Sequence, residues 1–294
     1  MHRKTHSYKI LKTLLQGKKR LSGEALKRIA SFTLSQLTGS GAFMNKNGKE
    51  DLYYTSFGLM LALILKFDIN INATKMWLDK QEHQLSDLVN YAAFIRCHTL
   101  CDWIKNGRLH VTLNRLFKHK QTLPAFTHYP HDDKYSPYSQ FLLFSLKEDM
   151  RMNTGNCCEL LTSLSSYHVE TGGYANIKGG LKATANATVA AMAVRGQLCG
   201  YHTDKDIDFL LTLQDESGGF YAGISAPVPD LLSTATALFL LKCYGVTPRI
   251  NANDFIDAHW LPSGSFGATL ADDTGDTEYT FYGLLASGAI GDFK

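Results

Sequence analysis

At 294 residues, 45% hydrophobic and 19% charged, the chain has the composition of a soluble globular protein and enough length to bury a sizeable core. A net charge of +3 is too small to argue for a nucleic-acid partner, and no run reaches the roughly 18 consecutive apolar residues of a membrane-spanning helix. Six cysteines in a chain this long do not form a small disulfide scaffold, so a reducing, cytoplasmic setting is expected.

Residues 1–23 are a basic amphipathic segment, with Arg3, Lys4, Lys9, Lys12, Lys18, Lys19 and Arg20 around the apolar stripe of Tyr8, Ile10, Leu11, Leu14 and Leu15. Lys9 and Lys12 interrupt that stripe, which makes it a poor secretory signal. Two readings stand: a helix that docks on an anionic surface or a protein partner, or an opening helix packed on the outside of the domain with its lysines solvated.

Residues 24–294 are expected to form one domain. An amphipathic helix over 24–38 ends at Gly39-Ser40-Gly41, a turn follows at Phe43, and Asp51 precedes an apolar helix over 52–66. The same plan returns at Gly172-Gly173-Tyr174, at Gly218-Gly219-Phe220 and at Gly264-Ser265-Phe266, with a period of 46 residues. Diverged copies are placed at Trp77 with Ser86, and at Phe126 with Ser136. An even period in this range marks stacked units that cannot bury their apolar faces alone.

Counting forward from each turn aromatic reaches Asp51, Ser86, Ser136, Thr184, Asp230 and Asp276, after eight, nine and then ten residues. All six are side chains that satisfy the free N–H groups at a helix start. Pro137 stands at the first helical position behind Ser136. Six such pairs with short turns close into an all-α, α/α barrel whose inner helices point their N-termini at one mouth.

Glycine–aromatic turns followed by Asp-capped helices resemble the prenyltransferase and squalene-cyclase repeat, closely over 172–291 and loosely from Gly41. The resemblance implies an α/α toroid, an isoprenoid or lipid-like substrate and, in many members, catalytic zinc. At the positions of that zinc site this chain has Asp230, Leu232 and Tyr279, and Ile224 and Pro227 replace the basic diphosphate clamp. Zinc-dependent prenylation is therefore not expected. The cyclase acid motif matches Asp230-Leu231-Leu232-Ser233-Thr234 without its acid, whereas Asp276-Thr277-Glu278-Tyr279-Thr280 has Glu278 in the acid position. Glu278, Asp276, Asp230 and Tyr279 are the catalytic candidates implied. A solvated Glu favourable to the helix dipole is the alternative for Glu278.

Inner-helix aromatics Tyr53, Phe57, Tyr138, Phe141 and Tyr282 suit an isoprenoid chain or a plain core, and Lys182 is the basic residue best placed for an anion. Arg96 and Arg195 are further basic residues on the helices. His128, His131 and Asp132 in one loop, and Asp272 and Asp273 in another, are weak metal candidates, with Mg²⁺ the possible ion. Cys97, His98 and Cys101 share a helix, where buried structural cysteines are the commoner outcome. The small-sided helix from Lys182 to Gly196 allows close contact or a pocket. Three functions remain: isoprenoid binding or chemistry without zinc, a silent scaffold for a partner chain, and carbohydrate chemistry on the same barrel.

Overall fold

The computed structural model describes residues 4–82, 85–106, 125–200 and 203–291. Among them twelve α-helices occur: α1 (His6–Arg20), α2 (Gly23–Ser35), α3 (Leu52–Leu65), α4 (Ile71–Gln81), α5 (Leu88–Asn106), α6 (Pro137–Asp149), α7 (Cys157–Ser165), α8 (Ala185–Cys199), α9 (Asp204–Thr212), α10 (Leu231–Tyr244), α11 (Asn253–Ala258) and α12 (Thr277–Ala289). Helices α3, α5, α6, α8, α10 and α12 pack each on the next, and α12 returns to α3, which closes the ring. The chain is an α/α toroid. Helices α2, α4, α7, α9 and α11 pack against this ring from outside. The outer partner expected before α6 falls in residues 107–124, outside the described residues.

Position in the ring explains the inner sequences. Helix α3 (LYYTSFGLMLALIL) and helix α10 (LLSTATALFLLKCY) are apolar on nearly every side and buried on most of it, as helices between two layers must be. The outer helices keep a polar face: α2 buries Ile29 and Thr33 and leaves Glu24 and Lys27 in water.

The caps hold the units in register. Asp51, Ser136, Thr184, Asp230 and Asp276 each accept the backbone N–H three residues on. The second unit differs from expectation. Its cap is Asp87, which accepts from Asn90 N at 2.8 Å, while the Ser86 carbonyl accepts from Thr127 N. Trp77 is no turn aromatic either: it lies inside α4 and donates Nε1–H to Glu50 at 2.7 Å.

Four residues after the cap a threonine ties turn to helix. Thr55 Oγ1 donates to the Asp51 carbonyl at 2.6 Å and accepts from Phe43 N at 2.9 Å. Thr234 repeats both bonds with Asp230 and Phe220. Seven residues after the cap the turn aromatic lies against a small residue. A methyl group on Gly58 or Gly283 would meet the ring of Phe43 or Phe266 at 2.4 Å. In the turn itself, Gly218 takes φ +88°, with the next unit's backbone at Asn251 within 2.5 Å of where its Cβ would stand. Neighbouring mouth loops are joined as well, through Ala185 N to Ala222 O and Leu231 N to Ala268 O. A short antiparallel pair, β1 (Phe220–Tyr221) with β2 (Pro229–Asp230), closes the fifth loop.

Helix α1 is an opening helix packed on the domain, at one end of the ring and with Lys12 and Lys19 solvated. It lies across the C-terminal ends of the inner helices, packed on α12, α3 and α6, with Leu11 and Leu14 buried. Two of its lysines are used there: Lys9 Nζ donates to Gln197 and Lys18 Nζ to the Ile64 carbonyl, each at 2.8 Å. Cations fit at helix C-termini, where carbonyls lack partners. Of the apolar stripe, Leu11 and Leu14 are buried in the toroid's floor and Ile10 is half-buried, while Tyr8 and Leu15 stay exposed.

Candidate functional site

Inside the ring is a cavity of about 510 Å³ to which all six inner helices contribute. Phe57 and Met60 of α3, Phe141 of α6, Phe239 and Leu240 of α10 and Leu285 of α12 give it apolar walls. Helix α8 lends Val189, Ala190 and Ala193, so its small residues leave lumen as well as close contacts. Ile10 and Leu11 of α1 line the opposite end from the caps. Of the predicted ligand-binding residues, Tyr53, Phe57, Tyr138, Phe141 and Tyr282 all line this cavity. Lys182 does not; it stands exposed outside the lining.

At the capped end the polar groups form one network. Tyr53 donates its hydroxyl to Glu278 Oε1 at 2.8 Å, and the Tyr138 and Tyr282 side chains stand near Tyr53. Glu278 is not a solvated first-turn residue: burial, with the nearby charge of Asp276, outweighs Tyr53 and Lys46 and raises its pKa to about 7. It touches the lumen through Tyr53, which lines the cavity, since Glu278 itself stands behind the wall.

Asp276 is buried, caps α12 through Tyr279 N at 2.7 Å, and is held above the usual carboxylate range by burial. Lys46 was not foreseen. Its ammonium lies 2.8 Å from Asp272, 3.7 Å from Asp276 and 5.3 Å from the centre of the Tyr279 ring. No periodic signal marks Lys46, because it comes from the first loop and meets the sixth only when the ring closes. Burial lifts Asp272, but the bonds from Lys46, Ala268 N and Thr274 prevail and hold it at about 2.

Asp230 turns inward on its own helix. Its two oxygens accept from Ser233 N and Ser233 Oγ, each at 2.7 Å. Leu232 lines the cavity with no lone pair to offer, and Tyr279 stands beneath Lys46. This donor set does not fit a catalytic zinc. Of the weak metal candidates, His128, His131 and Asp273 are exposed, with His131 at the cavity, and Asp272 is taken up by Lys46; the Asp132 side chain lies outside the described residues. Among the described residues no group of three His, Cys, Asp or Glu side chains is arranged to hold a metal. Cys97 and Cys101 are buried, and burial pushes both thiols up, Cys101 to about 12, which disfavours the thiolate. Arg195 donates to the Tyr174 hydroxyl at 2.5 Å, away from the lining.

A second polar end also escaped the sequence. At the C-terminal end of α6, Glu148 accepts from His6 N at 3.1 Å and pairs with His6 Nδ1 at 2.8 Å, while Asp149 accepts from Ser7 Oγ at 2.8 Å. Carboxylates at a helix C-terminus oppose its dipole, and here the N-terminus of α1 faces them instead. The contact with α1, some 140 positions away in sequence, and for Glu148 also Gln197 of α8 give these acids their setting.

Fold and cavity define an α/α toroid with an apolar, aromatic-lined lumen that is polar at both ends. Among solved structures the chain is similar to Candida albicans protein geranylgeranyltransferase-I complexed with GGPP, at 16% identity and a TM-score of 0.47, with 94% of this chain and 81% of that chain covered. No family model matches the sequence, and no curated protein matches it. No helix among the described residues is long and apolar enough to cross a membrane.

Proposed function

We propose that this prenyltransferase-like barrel binds an isoprenoid or similarly lipid-like molecule in its central cavity, without catalytic zinc. The observation that carries this is the lumen itself: one cavity of about 510 Å³, within the usual range for small-molecule sites, walled by apolar and aromatic side chains from every inner helix. Burying apolar surface there supplies affinity at roughly 25 cal/mol per Å² before the costs of association. Walls of this kind suit an isoprenoid better than a sugar, whose hydroxyls need many polar partners. If the bound molecule is transformed, Glu278 is the acid, with Tyr53 between it and the lumen, and Asp276 and Lys46 set its charge state. Tyr279 and Asp230 support this end as a cation platform and a helix cap.

Native mass spectrometry of the purified chain, followed by solvent extraction, tests the proposal. A retained apolar molecule, displaced by geranylgeraniol, is the expected result. A folded chain that retains nothing and binds no isoprenoid would overturn it. Glu278→Gln separates the two parts, since it should leave binding in place and abolish any turnover.

A second reading, a barrel that docks a partner chain, has its own observation. The mouth loops expose Ile177, Leu181, Ile224, Val228 and Leu270, with Leu181 at 90% and Ile224 at 82%. Apolar side chains gathered on a rim mark association surfaces more often than scattered ones do. Light scattering on the wild-type chain and on Leu181→Asp with Ile224→Asp tests it, and a chain that is monomeric and captures no partner in either form removes it.

A further inference from the structure

Helix α1 has an outer face that the fold does not use. Tyr8, Lys12, Leu15 and Lys19 follow one another at steps of four and three residues, which puts them on one side of the helix, and all four are exposed. Lys4, just ahead of the cap Thr5, is exposed too and holds its ammonium 5.2 Å from the centre of the Tyr8 ring. Among the described residues, none of these three lysines takes part in an ion pair. No acidic residue precedes Glu24 in the chain, so nothing on the helix offsets them.

The stripe stands where the lumen meets the surface. Tyr8 and Arg151 both line the cavity and are both exposed, so the lining comes out to the surface at the head of the stripe. His131 does the same at the mouth, and charge separates the two ends. At the floor the last turns of α5, α6 and α10 add Lys105, Lys147 and Lys242, while the acids Glu148 and Asp149 are held by His6 and Ser7. The mouth is richer in acid, with Asp51, Asp87, Asp230 and Asp276 as caps and Asp272 and Asp273 in its sixth loop. An anionic surface is drawn to the floor and not to the mouth.

We propose that the outer face of α1 docks on an anionic lipid bilayer and sets the floor end of the lumen against it. The lysines meet the headgroup phosphates, and Tyr8 and Leu15 reach the shallow boundary with the acyl chains, where tyrosine is favoured. Because Leu11 and Leu14 stay buried in the toroid, the helix rests on the membrane and does not leave the ring. The choice of a bilayer over an acidic protein rests partly on the apolar-ligand function proposed above, since a bilayer is where such a ligand resides.

Cosedimentation of the full chain with vesicles tests this, using phosphatidylcholine alone and equal parts phosphatidylcholine and phosphatidylserine. Binding to the anionic vesicles, weakened by added salt, and none to the neutral ones is expected. The triple variant Lys4→Gln, Lys12→Gln and Lys19→Gln should bind about a hundredfold more weakly, roughly fivefold for each lysine near the surface. These side chains are exposed, and an unchanged circular dichroism spectrum shows that the variant folds; Lys12→Gln alone, with about a fivefold loss, stands in if it does not. Equal binding to both kinds of vesicle overturns the proposal. So does a triple variant that binds as wild type, or a loss produced instead by Leu181→Asp with Ile224→Asp, which would place the contact at the mouth. No vesicle binding overturns it as well, and is the outcome expected if the stripe faces an acidic protein. Vesicle binding by a chain that retains no apolar molecule sinks only the cavity function; a loaded chain that ignores both vesicles sinks only the docking surface.

Discussion

Tyr53 of α3 and Glu278 of α12 meet at 2.8 Å across the seam where the last inner helix rejoins the first. The contact exists only because the ring closes, and it puts a carboxyl group into a largely apolar setting.

The first prediction is a pH dependence. Glu278 titrates near 4.5 when unfolded and near 7 when folded. A raised carboxyl contributes stability that is fully present below the unfolded value and lost as pH rises through the folded one. The chain should therefore lose on the order of 3 kcal/mol of stability between about pH 4.5 and 7.5 through this group. Glu278→Gln should flatten that slope and be more stable than wild type at pH 8, measured by urea unfolding across the range. An unchanged slope removes the buried-acid assignment.

The second concerns Lys46, whose charge lowers the pKa of both Asp272 and Glu278. In Lys46→Met, Asp272 should rise from about 2 toward its ordinary value of 3.8, and Glu278 should move above 7. Carboxyl carbon chemical shifts followed through a titration give both values at once. A Glu278 that does not move would mean that the ammonium is screened from it.

How far the sequence reaches is set by whether a signal is local and repeated. The caps were legible because each serves its own first turn, and five of the six fall where counting from the turn places them. The second unit slipped to Asp87 because its turn has lost both glycines and the aromatic that anchor the count. Cavity-lining aromatics such as Phe57 and Phe141 were readable from their place on inner helices. Lys46, Asp149 and Ser7 were not, since each gains its partner from an element more than 100 positions away. The threonine four residues after the cap was visible in four copies and marks the unit as well as the glycines do.

That threonine gives the third prediction. Thr234 is fully buried, donates to the Asp230 carbonyl at 2.7 Å and accepts from Phe220 N at 2.8 Å. Thr234→Val keeps the shape but leaves that N–H unmet, which should cost about 1–3 kcal/mol. Thr234→Ser should recover most of the loss. Equal stability of the valine and serine variants in urea would show that the hydroxyl does not hold the turn.

The fourth concerns acid. Burial lifts Glu148, but hydrogen bonds from His6 and Gln197 prevail and depress its pKa below 4.5. Stability from a depressed carboxyl is present above the unfolded value and lost as pH falls through the folded one. Amide exchange in the first turn of α1 should therefore accelerate below about pH 4.5 before the inner helices respond. Uniform exchange along the whole chain at that pH would contradict it.

The last prediction tests the floor. Helices α1 and α12 cross at Gly17 and Gly288, close enough that a methyl group on Gly288 would stand 1.9 Å from the Thr13 carbonyl and 2.7 Å from Gly17 N. These are backbone atoms and cannot rotate away, so Gly288→Ala must push α1 off the ring. Overpacking of this kind costs about 1–3 kcal/mol, whereas Leu14→Ala should cost about 2–5 by leaving a void beneath a helix that stays seated. The two variants should therefore differ in kind. Gly288→Ala should speed exchange of the α1 amides and open the far end of the lumen to a bulky apolar dye, while Leu14→Ala lowers stability and leaves α1 protected. Should Gly288→Ala leave α1 exchange as slow as in wild type, the helix does not form the floor, and Ser7 loses its place beside Asp149.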